Sequence, residues 1–266
     1  MQLHFTKMHG LGNDFMIIDG VKQKIQLTPE QIIAWARRDT GIGFDQCLVV
    51  EPSISAGIDF FYRIFNANGQ EVGQCGNGAR CLARFIQYHG LSERTTLYVE
   101  TLSTRLTLYL HLDRDQVSVD LGLPQFPPEK LHTLPLAPAV NIYPVNVGNP
   151  HVIILVDDVT HTDVNTIGRT ISEHQLFPEQ TNVEFMQING PDQIKLRVYE
   201  RGCGETTACG SGAVAAVAIG QRYHGLNDNV TVTLPGGDLG VQRTLDNHML
   251  LTGPATFVYE GALLHY

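Results

Sequence analysis

One sequence pattern occurs twice in this chain, and the repeat limits the folds that the chain can adopt. The first copy spans residues 63–80 and the second spans residues 197–214. In each copy an arginine, an aromatic residue and a glutamate precede a Cys-Gly-x-Gly-Ala turn, which opens at Cys75 in the first copy and at Cys209 in the second. The pattern therefore predicts two similar structural units, each presenting one thiol in the same local setting.

A weaker repeat lies upstream of each cysteine. Asn13 follows a glycine and precedes an apolar run, and so does Asn149. These asparagines lie 62 and 60 residues before Cys75 and Cys209. We therefore expect two domains, one formed by residues 1–119 plus 255–266 and one by residues 120–254. The proline-rich stretch 123–138 favours this boundary, and a final strand at 255–260 is expected to return to the first domain.

Composition excludes several classes of protein. The chain has 266 residues and a net charge of −9, with no basic stripe of the kind that binds nucleic acid. No apolar run reaches the length needed to cross a bilayer, and residues 1–10 do not resemble a secretion signal. Five cysteines, an odd number, are more typical of reduced cytoplasmic thiols than of a disulfide framework. We expect a cytoplasmic enzyme with neither a nucleic-acid nor a membrane partner.

Strands predominate in the predicted secondary structure, and helices follow at marked places. Thr28, Pro29 and Gln31 form the pattern of a helix start with a capping box. Apolar residues at helical spacing predict helices over 79–89 and 213–223, directly after the two cysteine turns. Three alternating strands are expected within 95–121.

Each cysteine turn suits the binding of an anion. Its glycines allow a ligand to approach the backbone, and a helix start offers N–H groups and the positive end of its dipole. The same field should stabilise a thiolate, which can act as a base. Gly76 and Asn77 on one side, with Gly210 and Ser211 on the other, would hold a carboxylate while a carbanion forms beside it.

Matched thiols favour one kind of chemistry over others. The chain has no Cys-x-x-Cys pair for disulfide exchange and no visible zinc-ligand pattern. A cysteine hydrolase needs only one thiol with a histidine partner. Two thiols can instead remove a proton from one face of a carbon and return one to the other, which inverts a stereocentre without a cofactor.

Several motifs along the whole chain resemble the diaminopimelate epimerase family. They are Lys7-Met-His-Gly-Leu-Gly-Asn13-Asp-Phe15, Gly43-Phe-Asp-Gln46, Arg63-Ile-Phe-Asn66, Gln74-Cys75-Gly-Asn-Gly-Ala-Arg80-Cys81, Gly148-Asn149-Pro-His151, Tyr199-Glu200-Arg201-Gly, Glu205-Thr-Thr-Ala-Cys209-Gly-Ser-Gly and Leu234-Pro-Gly-Gly. The resemblance implies interconversion of LL- and meso-2,6-diaminopimelate without pyridoxal phosphate or metal, in lysine and peptidoglycan precursor synthesis. It also implies an α/β (α+β) fold of two pseudo-symmetric domains, each a β-barrel-like sheet around a central helix, with the active site in the cleft between them.

The resemblance also assigns roles to residues. It implies Cys75 and Cys209 as the acid/base pair, His151 and Glu200 as groups that tune the site, and Tyr259 as part of a homodimer contact. The residues implied to bind substrate are Asn13, Gln46, Asn66, Gly76, Asn77, Asn149, Asn182, Glu200, Arg201, Gly210 and Ser211. Arg201 is the natural partner for the distal carboxylate, because a guanidinium can bind it through two hydrogen bonds.

Two alternatives stay open at this point. A related two-cysteine racemase of the proline or hydroxyproline type would share the thiol pair, although the asparagine and arginine set for a distal amino-acid head argues against it. An amino-acid-binding homologue without catalysis would share the substrate contacts, although the presence of both cysteines argues against that alternative.

Overall fold

The computed structural model describes residues 2–127, 132–134 and 140–264. The chain divides into two compact units, Met1–Val119 with Gly253–Tyr266 and Asp120–Thr252. The two domains predicted from the sequence, residues 1–119 with 255–266 and residues 120–254, stay a prediction, because it is not tested whether each folds independently. Within the proline-rich stretch 123–138 that suggested them, residues 128–131 and 135–138 lie outside the described residues.

Each unit contains a similar succession of elements in the part of the chain that is described. The first unit contains β1 (Leu3–Gly10), β2 (Asn13–Asp19), α1 (Pro29–Ala36), β3 (Gln46–Pro52), β4 (Phe60–Asn66), β5 (Glu71–Val72), α2 (Gly76–Tyr88), β6 (Thr96–Glu100), β7 (Arg105–His111) and β8 (Gln116–Asp120). Then follow β9 (His132–Leu134), β10 (Val140–Asn146), β11 (Pro150–Leu155), α3 (Val164–Ser172), β12 (Asn182–Gly190), β13 (Gln193–Glu200), β14 (Gly204–Thr206), α4 (Gly210–Tyr223), β15 (Asn229–Leu234), β16 (Gly237–Arg243) and β17 (Met249–Pro254). The last strand, β18 (Thr256–Leu263), belongs to the first unit.

The sheet of the first unit curves around α2. Its strands pair in the order β18-β1-β2-β3-β4-β6-β7, with β2 parallel to β3 and β4 parallel to β6. Helix α2 packs against the neighbouring strands β1, β2 and β3 and also against β7, which lies at the other end of this order. A sheet whose distant strands reach the same helix must bend around it, and α2 is accordingly buried over most of its length.

The second unit repeats this arrangement. Its strands pair in the order β10-β11-β12-β13-β15-β16-β17, again with two parallel pairs, β11 with β12 and β13 with β15, at the same places. Helix α4 packs against β10, β11, β12 and β16 and is buried along almost all of its length. The predicted α+β fold, built from a duplicated sheet around a central helix, is confirmed.

Both faces of the central strands are covered, which explains their continuous apolar runs. In the first unit, Met16, Ile18, Cys47 and Val49 pack with Ile32 of α1 in one core cluster. The alternate residues of β2 and β3 therefore point to the opposite face, where α2 lies. The second unit follows the same rule, since Val152, Val183 and Phe185 pack with residues of α3.

The helix starts differ from the sequence-based prediction in one respect. The capping box at Thr28 is confirmed, with both of its hydrogen bonds present. However, α2 and α4 begin at Gly76 and Gly210, three residues before the predicted starts. A helix prediction based on the spacing of apolar residues misses a first turn that consists of glycine and polar residues. Cys75 and Cys209 are consequently the residues that immediately precede each helix.

The final strand pairs within the first unit. Strand β18 runs antiparallel to β1, with Tyr259 opposite Lys7. This agrees with the strand predicted at 255–260, extended by three residues. Among the described residues, no helix is long and apolar enough to cross a membrane.

Candidate active site

The predicted site residues of the first unit lie at one edge of its sheet. Asn13 and Gln46 begin the parallel strands β2 and β3, and Asn66 ends the antiparallel strand β4 opposite Gln46. Gln46 Nε2 donates to Asn66 Oδ1 over 2.8 Å. Two parallel strands begin at the same edge of a sheet, and a strand antiparallel to them ends there. The topology therefore brings these three amides together.

Cys75 lies at the same edge, at the N-terminus of α2. Its Sγ accepts a hydrogen bond from the amide of Gly78 over 3.3 Å and lies 3.9 Å from Asn13 Oδ1. Asn77 Nδ2 donates to the same Asn13 oxygen over 3.3 Å. The structure therefore brings Asn13, Cys75 and Asn77 into one cluster beside the first turn of the helix.

Charged residues behind Asn13 hold it in place. Asn13 Nδ2 donates to Asp45 Oδ2 over 2.8 Å, and Arg38 bridges Asp45 and Asp14. Lys7 forms an ion pair of 2.6 Å with Asp14. Burial alone would raise the pKa of Asp14, but hydrogen bonds from Arg38 and Lys7 outweigh burial and lower this pKa to about 2. Asp14 therefore stays ionised at neutral pH.

A buried arginine supports Asn77. Arg80 is the largest fully buried side chain of the described residues, and its Nη2 donates to Asn77 Oδ1 over 3.0 Å. Its Nε donates to the carbonyl of Pro254 over 3.3 Å. Arg80 and Asp45 both lie inside motifs quoted above, directly after Ala79 and directly before Gln46. Sequence reasoning assigned no role to either residue, although the motifs that contain them were visible.

Gly78 should not tolerate a larger residue. A Cβ at Gly78 would overlap the hydroxyl of the buried Tyr62 and lie 3.2 Å from Leu48 and 3.3 Å from Cys75 Sγ. We expect Gly78→Ala to destabilise the protein by about 1–3 kcal/mol, because this overpacking outweighs the helix propensity that alanine gains. In a Tyr62→Phe background the loss should shrink, because the nearest clashing atom is gone. Chemical denaturation measures both, and an equal loss in the two backgrounds would contradict the account.

The second unit places its predicted residues at the equivalent edge. Asn149 directly precedes β11, Asn182 begins the parallel strand β12, and Glu200 ends β13. His151 lies opposite Asn182 in the parallel register, where Phe15 lies opposite Gln46 in the first unit. The polar side chains thus occupy the same places as Asn13, Gln46 and Asn66.

Cys209 lies in a drier and more negative environment than a helix start alone predicts. It is buried, and its Sγ is 3.6 Å from Ser211 Oγ, which accepts from Asn149 Nδ2 over 3.5 Å. Burial raises the pKa of Cys209 well above its usual range, and the carboxylates of Glu200 and Glu184 raise it further. The expectation that each turn stabilises a thiolate therefore does not hold for Cys209 in this structure, because desolvation and two nearby carboxylates outweigh the helix dipole.

Glu200 is a carboxyl group beside Cys209. Thr206 Oγ1 donates to its Oε1 over 2.5 Å. Burial raises the pKa of Glu200, while hydrogen bonds with Thr206 and Cys209 act against this rise. A carboxyl group with a raised pKa beside a thiol is placed to take up the proton of that thiol and to return it.

Asn182 and Arg201 are linked through the backbone. Asn182 is buried, its Oδ1 accepts from the amide of Arg201 over 3.0 Å, and its Nδ2 donates to the carbonyl of Pro150 over 3.4 Å. The Arg201 guanidinium is exposed, and Nη1 donates to the carbonyl of Glu179 over 3.2 Å. The structure thus shows Asn182 holding the chain at Arg201, while its contact with substrate stays a prediction.

The repeated arginine and glutamate form matching ion pairs. Arg63 binds Glu71 through two hydrogen bonds of 2.8 and 2.9 Å, and Arg197 binds Glu205 through two of 2.6 and 2.9 Å. Each glutamate lies four residues before its cysteine. These pairs anchor the chain that leads into each cysteine turn, which explains why the repeat includes them.

One buried carboxylate of the second unit was not singled out by sequence reasoning. Glu184 Oε1 lies 2.7 Å from His151 Nδ1, and both side chains are fully excluded from solvent. Glu184 lies among apolar residues of a strand. The presence of a glutamate in such an apolar run is the one sequence signal that could have indicated its importance. Within the described ranges, no group of three or more His, Cys, Asp or Glu side chains is placed to hold a metal ion.

Solved structures with the same architecture define the class of fold. A PhzF-family phenazine biosynthesis protein of Bacillus anthracis superposes with a TM-score of 0.75 at 16% identity, covering 100% of both chains. A hydroxyproline epimerase of Agrobacterium vitis superposes with a TM-score of 0.74 at 13% identity, covering 98% of this chain and 92% of that one. The chain thus has the duplicated α+β fold that these proteins share.

Sequence comparison then identifies the family. The family model described as diaminopimelate epimerase matches residues 5–127 and 143–258. Diaminopimelate epimerases of Legionella pneumophila strains Corby and Paris are 54% and 53% identical over 277 aligned positions, which cover 99% of this chain and 100% of each relative. The chain belongs to the diaminopimelate epimerase family, and it is therefore an isomerase.

Proposed function

We propose that this enzyme interconverts LL- and meso-2,6-diaminopimelate by proton transfer at one α-carbon, as a step of lysine and peptidoglycan precursor synthesis. The observation that carries the proposal is the pair of cysteines, each placed directly before a buried helix with an asparagine beside it. Identity of 54% over the whole chain to diaminopimelate epimerases supports the substrate. Incubating LL-diaminopimelate with the reduced protein and resolving the isomers by chromatography tests it.

In this mechanism one cysteine is the base and the other is the acid. A thiolate takes the α-proton and becomes a thiol, while the electron pair of the broken C–H bond moves onto the α-carbon and its carboxylate. The second cysteine gives its proton to the opposite face and becomes a thiolate. One C–H bond breaks and one forms, so no oxidant or reductant is consumed and the mechanism requires no cofactor.

Stabilisation of the carbanion is assigned to the helix starts. The amides of a first helical turn have no partner inside the helix and point outward from its N-terminus. At Gly76 and Asn77 and at Gly210 and Ser211 they can donate to a carboxylate whose charge increases in the transition state. Dry surroundings such as those of Cys209 strengthen these interactions.

The asparagines and Arg201 are assigned to the rest of the substrate. A second amino-acid head needs both hydrogen-bond acceptors for its ammonium group and a cation for its carboxylate. Gln46 and Asn66, which are hydrogen-bonded to each other at the sheet edge, offer amide oxygens as acceptors. Arg201 offers the cation, because its guanidinium is exposed. Proline lacks a second head, and the proline-racemase alternative is supported by fold alone, at 15% identity or less. Turnover of proline without turnover of diaminopimelate would favour that alternative.

We further propose that the enzyme is a homodimer that uses the outer surface of β18. Tyr259 is 45% exposed on this strand and packs edge-on against Phe5 with ring centroids 6.1 Å apart. Aromatic residues contribute much of the contact energy at protein interfaces. A reaction that needs two reduced thiols also suits a reducing compartment, so we place the enzyme in the cytoplasm.

Tyr259→Ala should weaken the dimer. If the Tyr259 side chain contributes about 2 kcal/mol to the free energy of dimerisation, its loss raises the dissociation constant about 30-fold. Sedimentation velocity across micromolar concentrations measures this change, and Tyr98→Ala, which removes another exposed tyrosine of the first unit, serves as the control. A wild-type protein that is monomeric throughout that range contradicts the proposal.

A further inference from the structure

Glu184 is a buried carboxylate directly beneath the start of α4. Its side chain has 0% exposure. A Cβ built on Gly212, in the first turn of α4, would lie 2.8 Å from Glu184 Oε1 and 3.3 Å from Cys209 Sγ. The glycine thus allows the helix start to approach both the carboxylate and the thiol. Burying a carboxylate is costly even when it is paired, as Glu184 is with His151, so its presence here calls for a functional reason.

A continuous series of polar contacts connects Glu184 with Cys209. Glu184 Oε1 lies 2.7 Å from His151 Nδ1, and His151 Nε2 lies 3.0 Å from Asn149 Oδ1. Asn149 Nδ2 donates to Ser211 Oγ over 3.5 Å, and Ser211 Oγ lies 3.6 Å from Cys209 Sγ. Along the series Glu184 is separated from the thiol by His151, Asn149 and Ser211, so it can act on Cys209 by orienting these three groups as well as through its own nearby charge.

The direction of these hydrogen bonds determines where a proton lies. Because Asn149 donates to Ser211 through Nδ2, its Oδ1 faces His151 and must accept, so His151 Nε2 carries a hydrogen. The contact of 2.7 Å between His151 Nδ1 and Glu184 then needs one further proton between the two groups. The Glu184 carboxylate therefore holds the Nδ1 side of the His151 ring, while Asn149 holds the Nε2 side.

The first unit provides an internal comparison. Phe15 and Leu48 occupy the register positions that His151 and Glu184 occupy in the second unit. A Cβ at Gly78 would lie 3.2 Å from Leu48, as a Cβ at Gly212 would lie 2.8 Å from Glu184. The same fold is therefore built with an apolar pair in one unit and an ionisable pair in the other, which shows that packing does not require the ionisable pair.

We propose that Glu184 is a positioning residue for the reaction: it fixes the orientation and tautomer of His151, and through Asn149 and Ser211 it aligns Cys209 with the substrate. This proposal rests on the proposed function of Cys209. Because its charge lies beside the start of α4, Glu184 also opposes ionisation of Cys209. In the described part of the chain, the titratable groups that act on Cys209 are Glu184 on β12 and Glu200 at the end of β13, and His151 on β11 contacts Glu184.

Two variants test the proposal in the full-length protein. Glu184→Gln keeps the volume and a hydrogen bond to His151 but removes the charge. The double substitution His151→Phe with Glu184→Leu reproduces the pair of the first unit, so it should fold even if a single substitution does not. Asp238→Asn removes an exposed carboxylate of the same unit and is the matched control. Thermal unfolding followed by circular dichroism verifies the fold of each variant.

Cys209 reactivity is the decisive readout, because a purely structural role would not change it. Alkylation by iodoacetamide, followed across pH by peptide mass spectrometry, gives one midpoint for Cys209 and one for Cys75 as the internal reference. In Glu184→Gln we expect the Cys209 midpoint to fall by about one pH unit while that of Cys75 stays unchanged. An unshifted Cys209 midpoint in this folded variant overturns the proposal, and this result does not depend on whether diaminopimelate is the substrate.

Kinetics provide the second readout. Misalignment of a reacting group can cost up to about 100-fold in rate, so we expect kcat to fall about 10- to 100-fold in Glu184→Gln and in the double variant, with KM changed less than threefold. Wild-type kcat in the folded double variant would overturn the proposal. A wild-type protein that does not epimerise diaminopimelate would instead overturn the proposed function, whatever the alkylation result.

Discussion

Replacing Cys75 or Cys209 with alanine should lower the rate of epimerisation by about 10²–10⁴-fold, the usual contribution of a positioned acid or base. A single thiol cannot both remove a proton from one face of a carbon and return one to the other. Serine at either position should lose nearly as much, because an alcohol is a far weaker acid than a thiol. Initial rates with LL- and meso-diaminopimelate measure the loss.

Hydrogen exchange separates this mechanism from simple damage to the site. In D₂O, each alanine variant should exchange the α-hydrogen of only one of the two isomers, without inversion, because only one face retains its base. Cys81→Ala is the matched control: Cys81 is a buried thiol in the same helix as Gly76, and burial raises the pKa of Cys81 to about 12. Near-full turnover in either the Cys75 or the Cys209 variant would contradict the two-base account.

Replacing Arg201 with glutamine should lower kcat/KM by about 10- to 150-fold. A hydrogen bond to a charged group contributes about 1.5–3 kcal/mol, and the distal carboxylate of the substrate would lose its cation. Because this end of the substrate does not react, we expect the effect mainly in KM. Steady-state kinetics with diaminopimelate measure the change.

Lysine at the same position is the matched comparison. Arg201→Lys keeps the positive charge but cannot form two parallel hydrogen bonds with a carboxylate, so its kcat/KM should fall between the wild type and the glutamine variant. Exposed Arg243, which pairs with Asp228, is the control site for loss of an arginine from the same unit. Equal kcat/KM in the wild type and in Arg201→Gln would contradict the assignment of Arg201 as a substrate contact.

Much of the architecture could be predicted because the sequence repeat carries topological information. Two copies of one pattern around Cys75 and Cys209 predicted two similar units, and the observed strand orders are the same. Helix starts were the weaker point. Glycines and polar residues that follow each cysteine have low helix propensity, but the first turn of a helix tolerates them because its amides need no partner inside the helix.

Other features could not be predicted from spacing or residue type alone. The supporting roles of Asp45 and Arg80 depend on contacts with Asn13 and Asn77 that only the folded sheet edge creates. Glu184 stands in an apolar strand, where its register with His151 decides its role. The raised pKa of Cys209 likewise arises from burial and from carboxylates on two separate strands, which a local motif does not reveal.

Inversion of one carbon by two thiols without a cofactor leaves an isotopic signature in the product. LL-Diaminopimelate is incubated in D₂O with the reduced protein and no added cofactor, and the meso isomer formed in the first turnovers is analysed by mass spectrometry. We expect meso product that carries one solvent-derived deuterium at the inverted α-carbon, because the hydrogen that is returned comes from the second thiol. Meso product that retains the original α-hydrogen, or no meso product at all, would contradict it.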